Sequence, residues 1–380
     1  MHKVKTLIVV GTRPDAIKMA PLYLEFRKNH KFETLLCSSG QHLQLLNQAL
    51  EIFDMRPDFE LKSMTENQSL ADLTSSLLNK FTDLYTEIRP DIVFVHGDTT
   101  TAFIGALSAF YLNIPIAHIE AGLRTHDLSD PFPEEFNRQA IARISVWNFV
   151  PTRIAYENLL NEGIPEEKLF LCGNTIVDSV GIIEGKLISN FEYKQTMLNK
   201  ATDLLGFNPT EKNYILVTLH RRESFGHGVQ DVCRALKQIV NENSDLFVIF
   251  PVHLNPNVRK DVFSILGSEN NILLVEPISY DLFIFLAINC KFIITDSGGI
   301  QEEAISLSKR VLVTRNKTER SEGINSGLLK IISTDFEEIV VSVNNLLSSL
   351  EPEIIIESNP FGTGDTATQI VNYIESKYIR

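Results

Sequence analysis

Leu7-Ile8-Val9-Val10-Gly11-Thr12-Arg13-Pro14-Asp15-Ala16-Ile17-Lys18 reads as a strand, a turn and the start of a helix. Four apolar residues without alternation describe a strand buried on both faces. Thr12 is a capping residue, Pro14 suits a first helical turn, and Asp15 stands where a capping-box carboxylate belongs. A well-made helix start explains all three. It does not explain Arg13, whose guanidinium beside free N–H groups and the positive end of a helix makes an anion site.

The same pattern repeats outward along the chain. Short runs rich in Val, Ile and Phe recur at residues 34–37, 92–95, 116–119 and 147–150. A second series follows at 215–218, 247–250, 272–275, 292–295 and 311–313. Helical stretches between the runs imply parallel βαβ units, and a helix-rich stretch over 175–210 separates the series. The expected fold class is therefore α/β, with two Rossmann-like, doubly wound domains. We place the N-terminal domain at 1–174 and the C-terminal one at 175–364, with a terminal amphipathic helix over 365–380.

Composition narrows the function. The chain has 380 residues, 44% hydrophobic and 22% charged, which excludes collagen, a coiled coil and low-complexity disorder. Lys+Arg 35 against Asp+Glu 48 gives −13, with no visible basic stripe, so a nucleic-acid partner is not expected. The cysteines, Cys37, Cys172, Cys233 and Cys290, lie far apart without C-x-x-C spacing, which fits a reducing compartment. The opening residues hold too short an apolar run for a signal peptide, and no run reaches the roughly 18 residues of a membrane span. The expectation is a cytoplasmic protein with no membrane partner.

Ligands of open α/β sheets bind beyond the carboxyl ends of the strands. Five of the nine histidines (His42, His96, His118, His220 and His253) sit at or beside such ends, which points to a polar cleft. Ser297-Gly298-Gly299 repeats the anion-site logic in the second domain, where two glycines let backbone N–H groups approach a phosphate. Glu303, about one turn further on, is placed to accept from ribose hydroxyls. One anion site per domain suggests a ligand clamped across an interdomain active-site cleft, with a pyrophosphate the natural candidate. Asp98, taken alone, reads as an N-cap. Glu120 ends a buried strand and needs a partner. Glu134 follows the ordered Pro131-Phe132-Pro133 loop, and His220 opens His220-Arg221-Arg222-Glu223. Three carboxylates and a histidine at strand ends are the constellation of acid–base work. Gly362-Thr363-Gly364-Asp365-Thr366-Ala367 matches G-x-G-x-x-A, but no strand precedes it and too little chain follows for a βαβ unit. Zincin spacing is absent, so neither a catalytic metal nor a cofactor is expected.

Taken in order, these motifs resemble the non-hydrolysing UDP-N-acetylglucosamine 2-epimerases. The match runs from G-T-R-P-x-A-I-K (11–18), S-G-Q-H (39–42), H-G-D-T-T-T (96–101) and H-I-E-A-G-L-R-T (118–125) to P-F-P-E-E-x-N-R (131–138) and C-G-N-T-I-V-D (172–178). It continues through H-R-R-E (220–223), P-V-H-L-N-P (251–256) and T-D-S-G-G-I-Q-E-E (295–303). The resemblance implies a GT-B arrangement of the two domains, with the last helix packing back on the first. It also implies interconversion of UDP-GlcNAc and UDP-ManNAc in a homodimer that supplies surface polysaccharide. By motif, Arg13 and Lys18 belong to the substrate cleft, and Ser297, Gly298 and Gly299 hold the diphosphate. Glu303 takes the ribose, Phe283 packs near the uracil, and Asp98, Glu120, Glu134 and His220 are catalytic. Gln41, His42, Gln44, Arg221 and His253 match a site for UDP-GlcNAc as effector. Departures are Asp15 for Glu, Leu219 for a smaller residue, Ser224 for Asn, Ser321 for Pro, and Asn67 for Arg near the effector site. The competing expectations are a hydrolysing 2-epimerase, a GT-B glycosyltransferase and a non-catalytic nucleotide-sugar binder.

Overall fold

The computed structural model describes residues 3–40, 43–64, 68–219, 227–315, 318–348 and 358–378. Its contacts divide the chain into two compact units, Met1–Ser179 with Phe361–Arg380, and Val180–Pro360. Unit 1 begins β1 (Val4–Val10), α1 (Arg13–Lys28), β2 (Phe32–Ser38), α2 (Leu43–Ile52), β3 (Phe59–Glu60), α3 (Leu70–Ile88) and β4 (Ile92–His96). It continues through α4 (Thr100–Tyr111), β5 (Ile116–Ile119), α5 (Glu134–Ile144), β6 (Trp147–Val150), α6 (Arg153–Asn161) and β7 (Leu169–Leu171). The sheet order is β3-β2-β1-β4-β5-β6-β7, with every described pairing parallel. Strands such as β4, buried at every residue, explain why the sequence shows unbroken apolar runs. Besides Leu329–Ile332 at the edge of the other sheet, two strands were not expected, β3 and β7. They are two and three residues long, at the sheet's edges, with exposed positions that break the apolar signal.

A helix, α7 (Thr175–Ser189), spans the division between the units. Unit 2 then holds α8 (Phe191–Leu205), β8 (Asn213–Thr218), α9 (His227–Glu242), β9 (Leu246–Pro251), α10 (Pro256–Leu266), β10 (Ile272–Val275) and α11 (Tyr280–Asn289). It ends with β11 (Ile293–Thr295), α12 (Gly298–Ser306), β12 (Val311–Thr314), α13 (Glu322–Asn325), β13 (Leu329–Ile332) and α14 (Phe336–Ser348). Its sheet is parallel in the order β10-β9-β8-β11-β12-β13. Both units are thus Rossmann-like. Strand order reverses between β1 and β4 in unit 1, and between β8 and β11 in unit 2. Those two reversal points are where the carboxyl ends of the strands leave room for a ligand.

The division falls after Ser179 rather than at residue 174, for a local reason. Ser179 Oγ donates to the Ile17 carbonyl at 2.7 Å, tying the first turn of α7 to α1. The last helix, α15 (Thr366–Tyr378), packs within unit 1: the Tyr373 ring lies 4.5 Å from Phe170 and 5.8 Å from Phe149. Its start is fastened to the turn before α7. Asn174 N–H donates to Phe361 O at 2.7 Å, Thr366 Oγ1 to Cys172 O at 3.0 Å, and Ala367 N–H to Asp178 Oδ1 at 2.9 Å. Gly173, at φ +91°, sits where a Cβ would come within 2.8 Å of Thr366 Oγ1 and 3.0 Å of Gly362 Cα. Glycine is required there on both counts.

Burial pushes the Asp178 carboxyl up to about 6, against the hydrogen bonds from Ala367 and Thr366 that favour its ionised form. The folded chain therefore binds this proton more tightly than the unfolded chain, where an aspartate titrates near 3.9. Stability from this group is fully present below the unfolded value and is lost as pH rises through the folded one, by about 2–3 kcal/mol at most. Asp178→Asn keeps an acceptor for Ala367 and removes the titration. It is expected to flatten the fall in thermal midpoint between about pH 4 and pH 7; an unchanged slope would place the titrating group elsewhere.

Candidate active site

The reversal point of unit 1 gathers charged side chains from four segments. Thr12 caps α1 as the sequence implies, and Asp15 Oδ2 accepts from the Gly11 and Thr12 N–H groups at 3.1 and 3.0 Å. Arg13 is the first residue of α1, half-buried beside that turn. One turn on, Lys18 is buried and its Nζ is paired with Glu120 Oε2. Glu120 follows β5 with φ +63°, a left-handed conformation uncommon outside glycine. Asn174 Nδ2 donates to the same Oε2 at 2.6 Å. The partner that a carboxylate at a buried strand end demands is therefore a lysine from α1, backed by an amide before α7.

His96 closes β4 between two of these carboxylates. Its Nδ1 lies 3.5 Å from Asp15 Oδ1 and its Nε2 lies 3.7 Å from Glu120 Oε1. His118, by contrast, is fully buried within β5 and serves the fold. Its Nε2–H donates to the Gly97 carbonyl at 2.7 Å, and burial drives its pKa down to about 3, so the ring is neutral. The expectation that all five strand-end histidines mark a polar cleft fails for His118.

Asp98 is not the N-cap of α4. Thr99 is, its Oγ1 accepting from Ala102 N–H at 3.1 Å. Released from that duty, the Asp98 carboxylate pairs with Arg138 of α5, while Asn137 Nδ2 donates to the Asp98 carbonyl at 2.9 Å. Arg138 is aimed in turn by Glu135, a buried carboxylate whose Oε2 lies 3.4 Å from Arg138 Nη1 and accepts from Thr125 N–H at 3.0 Å. Glu134 is the first residue of α5 and half-buried. It comes from the opposite end of the helix's first turn to Arg138. Asp98, Glu120, Lys18 and Arg13 are thus brought to one end of one sheet, on turns after β1, β4 and β5 or on α1.

In unit 2, Ser297 is the N-cap residue of α12 and makes no side-chain cap hydrogen bond. Its N–H donates to Thr295 Oγ1 at 3.0 Å, and Thr295 Oγ1 meets Thr218 Oγ1 at 2.7 Å across β8 and β11. Gly299 has no heavy atom within 4 Å of where a Cβ would stand, whereas a Cβ on Gly298 would come within 2.5 Å of Arg320 Nη1. The missing side chain at Gly298 thus leaves room for the Arg320 guanidinium. Arg320 lies among Glu302, with Nε–Oε1 at 3.1 Å, and Glu319, which also holds Arg315 Nη1 at 2.8 Å. Glu303 is buried on α12. Phe283 is 7% exposed in a helix buried from Tyr280 to Ala287, so little of it is open to a ligand. His253 is exposed, with Nδ1 accepting from Asn255 N–H at 3.2 Å.

Gln41, His42, Asn67, His220 and Arg221 lie outside the described residues, as do Ser224 and the Gln44 side chain. Among the described residues no group of three or more His, Cys, Asp or Glu is placed to hold a metal ion, and no helix is long and apolar enough to cross a membrane. Sequence reasoning placed His96 at a strand end without giving it a role, and passed over Asn174, Arg138, Glu135 and Arg320. His96 and Asn174 stand in quoted motifs, H-G-D and C-G-N, and the strand-end rule selects the first. The buried arginines carry no local signal, because their carboxylate partners are assigned only by the fold.

A model of the family described as UDP-N-acetylglucosamine 2-epimerase matches residues 24–375. A Campylobacter jejuni protein named UDP-N-acetylglucosamine 2-epimerase is 43% identical over 372 residues, 97% of each chain. The solved UDP-GlcNAc 2-epimerase of Neisseria meningitidis, bound to UDP-GlcNAc, is similar at a TM-score of 0.92 and 39% identity, covering 98% of this chain and 100% of that one. The enzyme from Methanocaldococcus jannaschii, in complex with UDP-GlcNAc and UDP, is similar at a TM-score of 0.84 and 31% identity, covering 98% and 99%.

Proposed function

The chain belongs to the UDP-N-acetylglucosamine 2-epimerase family, and from that footing we propose that it interconverts UDP-GlcNAc and UDP-ManNAc without releasing free sugar. It is an isomerase of nucleotide sugars. The observation that carries the mechanism is a pair of carboxylates, Asp98 and Glu120, each paired with a buried cation at the ends of adjacent strands.

The C2 proton of a 2-acetamido sugar is not flanked by a carbonyl, so its direct removal leaves an unstabilised carbanion. Loss of UDP changes that. As the C1–O bond breaks, the electrons of the C2–H bond form the C1–C2 double bond of 2-acetamidoglucal, and the proton passes to a base. Re-addition returns UDP oxygen to C1 and a proton to the other face of C2. The reaction needs pre-oriented donors for the departing diphosphate and two proton-transfer groups. We assign the donors to Arg13, with the turn of Ser297, Gly298 and Gly299 and with His220. Glu303 takes the ribose, and Phe283 packs near the uracil. Proton transfer belongs to Asp98, Glu120 and Glu134.

The effector role of Gln41, His42, Gln44, Arg221 and His253, a homodimer and a cytoplasmic place belong to the same proposal. The four free, buried cysteines fit a reducing compartment. Pure protein incubated with UDP-GlcNAc alone is expected to give the anomeric NMR signals of UDP-ManNAc until the two reach a fixed ratio. Free ManNAc accumulating with UDP, or turnover only after an acceptor is added, would overturn the assignment.

A further inference from the structure

We infer that His96, backed by Asp15, is a positioning residue that holds Glu120 ionised and aimed for proton transfer. The inference rests on the reading of Glu120 as a proton-transfer group. Four observations carry it. The imidazole is 5% exposed, and neither ring nitrogen has a hydrogen-bond partner closer than the two carboxylates that face it. Those carboxylates lie on opposite sides of the ring, at 3.5 Å from Nδ1 and 3.7 Å from Nε2. Asp15 cannot swing away, because Gly11 and Thr12 N–H groups hold its other oxygen. Glu120 is likewise held at Oε2 by Lys18 and Asn174, which turns Oε1 toward the ring.

The donor pattern follows from the chemistry of imidazole. A neutral ring has one N–H and would turn a lone pair toward one carboxylate, whereas a ring protonated at both nitrogens offers N–H to each. Asp15 and Glu120 bring two carboxylates to the ring and Lys18 one ammonium, so a donor turned to each carboxylate offsets their mutual repulsion. The other charged or titratable groups near it are His118 on β5, neutral and turned to Gly97, Arg124 beyond it, which is paired with Glu162, and Arg13 and Asp98 on the flanking turns. Separations of 3.5 and 3.7 Å are longer than good hydrogen bonds. Catalytic hydrogen bonds commonly shorten to working length in the complex with substrate. Such a prop keeps Glu120 able to accept the C2 proton, because an N–H directed at a carboxylate favours its charged form.

The test compares steady-state kinetics across pH for His96→Asn, His96→Gln, Asp15→Asn and Glu120→Gln. His96→Asn is expected to lower kcat by about tenfold to a hundredfold, the scale of a misplaced catalytic group, with KM nearly constant. The acid limb of its kcat profile should move to higher pH, since Glu120 loses the donor that favours its ionised form. His96→Gln, with an amide long enough to reach toward Glu120, should recover part of the loss. Asp15→Asn should move the same limb in the same direction by less, and it supplies the test if the His96 variants fail to fold. A folded His96→Asn with its acid limb unmoved, beside an inactive Glu120→Gln, overturns the inference alone. A fully active Glu120→Gln overturns the reading beneath it.

Discussion

Glu120→Gln is expected to lower turnover of UDP-GlcNAc by about 10²–10⁴-fold, the range spanned by loss of a positioned general acid or base. The amide keeps the shape of the carboxylate and an oxygen to accept from Lys18 and Asn174, so the left-handed turn after β5 has no steric reason to change. What it loses is the capacity to take a proton. Lys18 also loses a buried counter-charge, so some fall in stability should accompany the fall in rate. The two effects separate in one pair of measurements. KM close to that of the parent, with kcat collapsed and the unfolding transition still cooperative, identifies chemistry as the missing element. Activity within about tenfold of the parent would remove Glu120 from proton transfer.

Arg320→Met is expected to cost about 3–5 kcal/mol in the folding of unit 2, the usual penalty for removing one partner of a buried ion pair. Its guanidinium lies between Glu302 and Glu319, whose side chains are 1% and 6% exposed. Methionine fills much of the volume but leaves both acids short of a charge. Arg315 stays beside Glu319 and cannot serve Glu302 as well without abandoning it. Because Arg320 also packs against Gly298, the turn at Ser297 loses its support in the same variant. Urea unfolding of the full chain should show an earlier transition for unit 2, with unit 1 unmoved, since two-domain chains need not melt as one. Arg259→Met is the matched control. Its ion pair with Glu276 is open to solvent and screened, and its loss should leave both transitions in place. Equal shifts from the two variants would contradict the network's role.

The α/β character of the chain was legible because buried parallel strands write themselves as short unbroken apolar runs. Residues 92–95 and 215–218 fall within β4 and β8. The edge strands β3, β7 and β13 were not legible: two or three half-exposed residues look like any loop, and the exposed Lys330 interrupts the apolar run of the third. The site shows the same contrast. Arg13, Glu120 and Ser297 were visible because each follows an apolar run, and position in an open sheet converts that into chemistry. Asp98, taken alone, reads as a cap because local preference favours it equally with Thr99, and only its company of strand-end carboxylates spoke for chemistry. Only the fold, by bringing Arg138 within reach, separates the two. The sandwich of His96 between Asp15 and Glu120 joins three elements, α1, β4 and the turn after β5, and no spacing along the chain announces it.

The most direct test of the elimination and re-addition mechanism is the fate of the hydrogen at C2. UDP-GlcNAc incubated with the enzyme in D₂O, with no acceptor present, should yield UDP-ManNAc carrying one deuterium at C2. The remaining UDP-GlcNAc should acquire the label as the mixture approaches equilibrium. UDP-ManNAc that retains the original hydrogen at C2 would contradict the account, since neither Glu120 nor any other carboxylate would then have handled that proton.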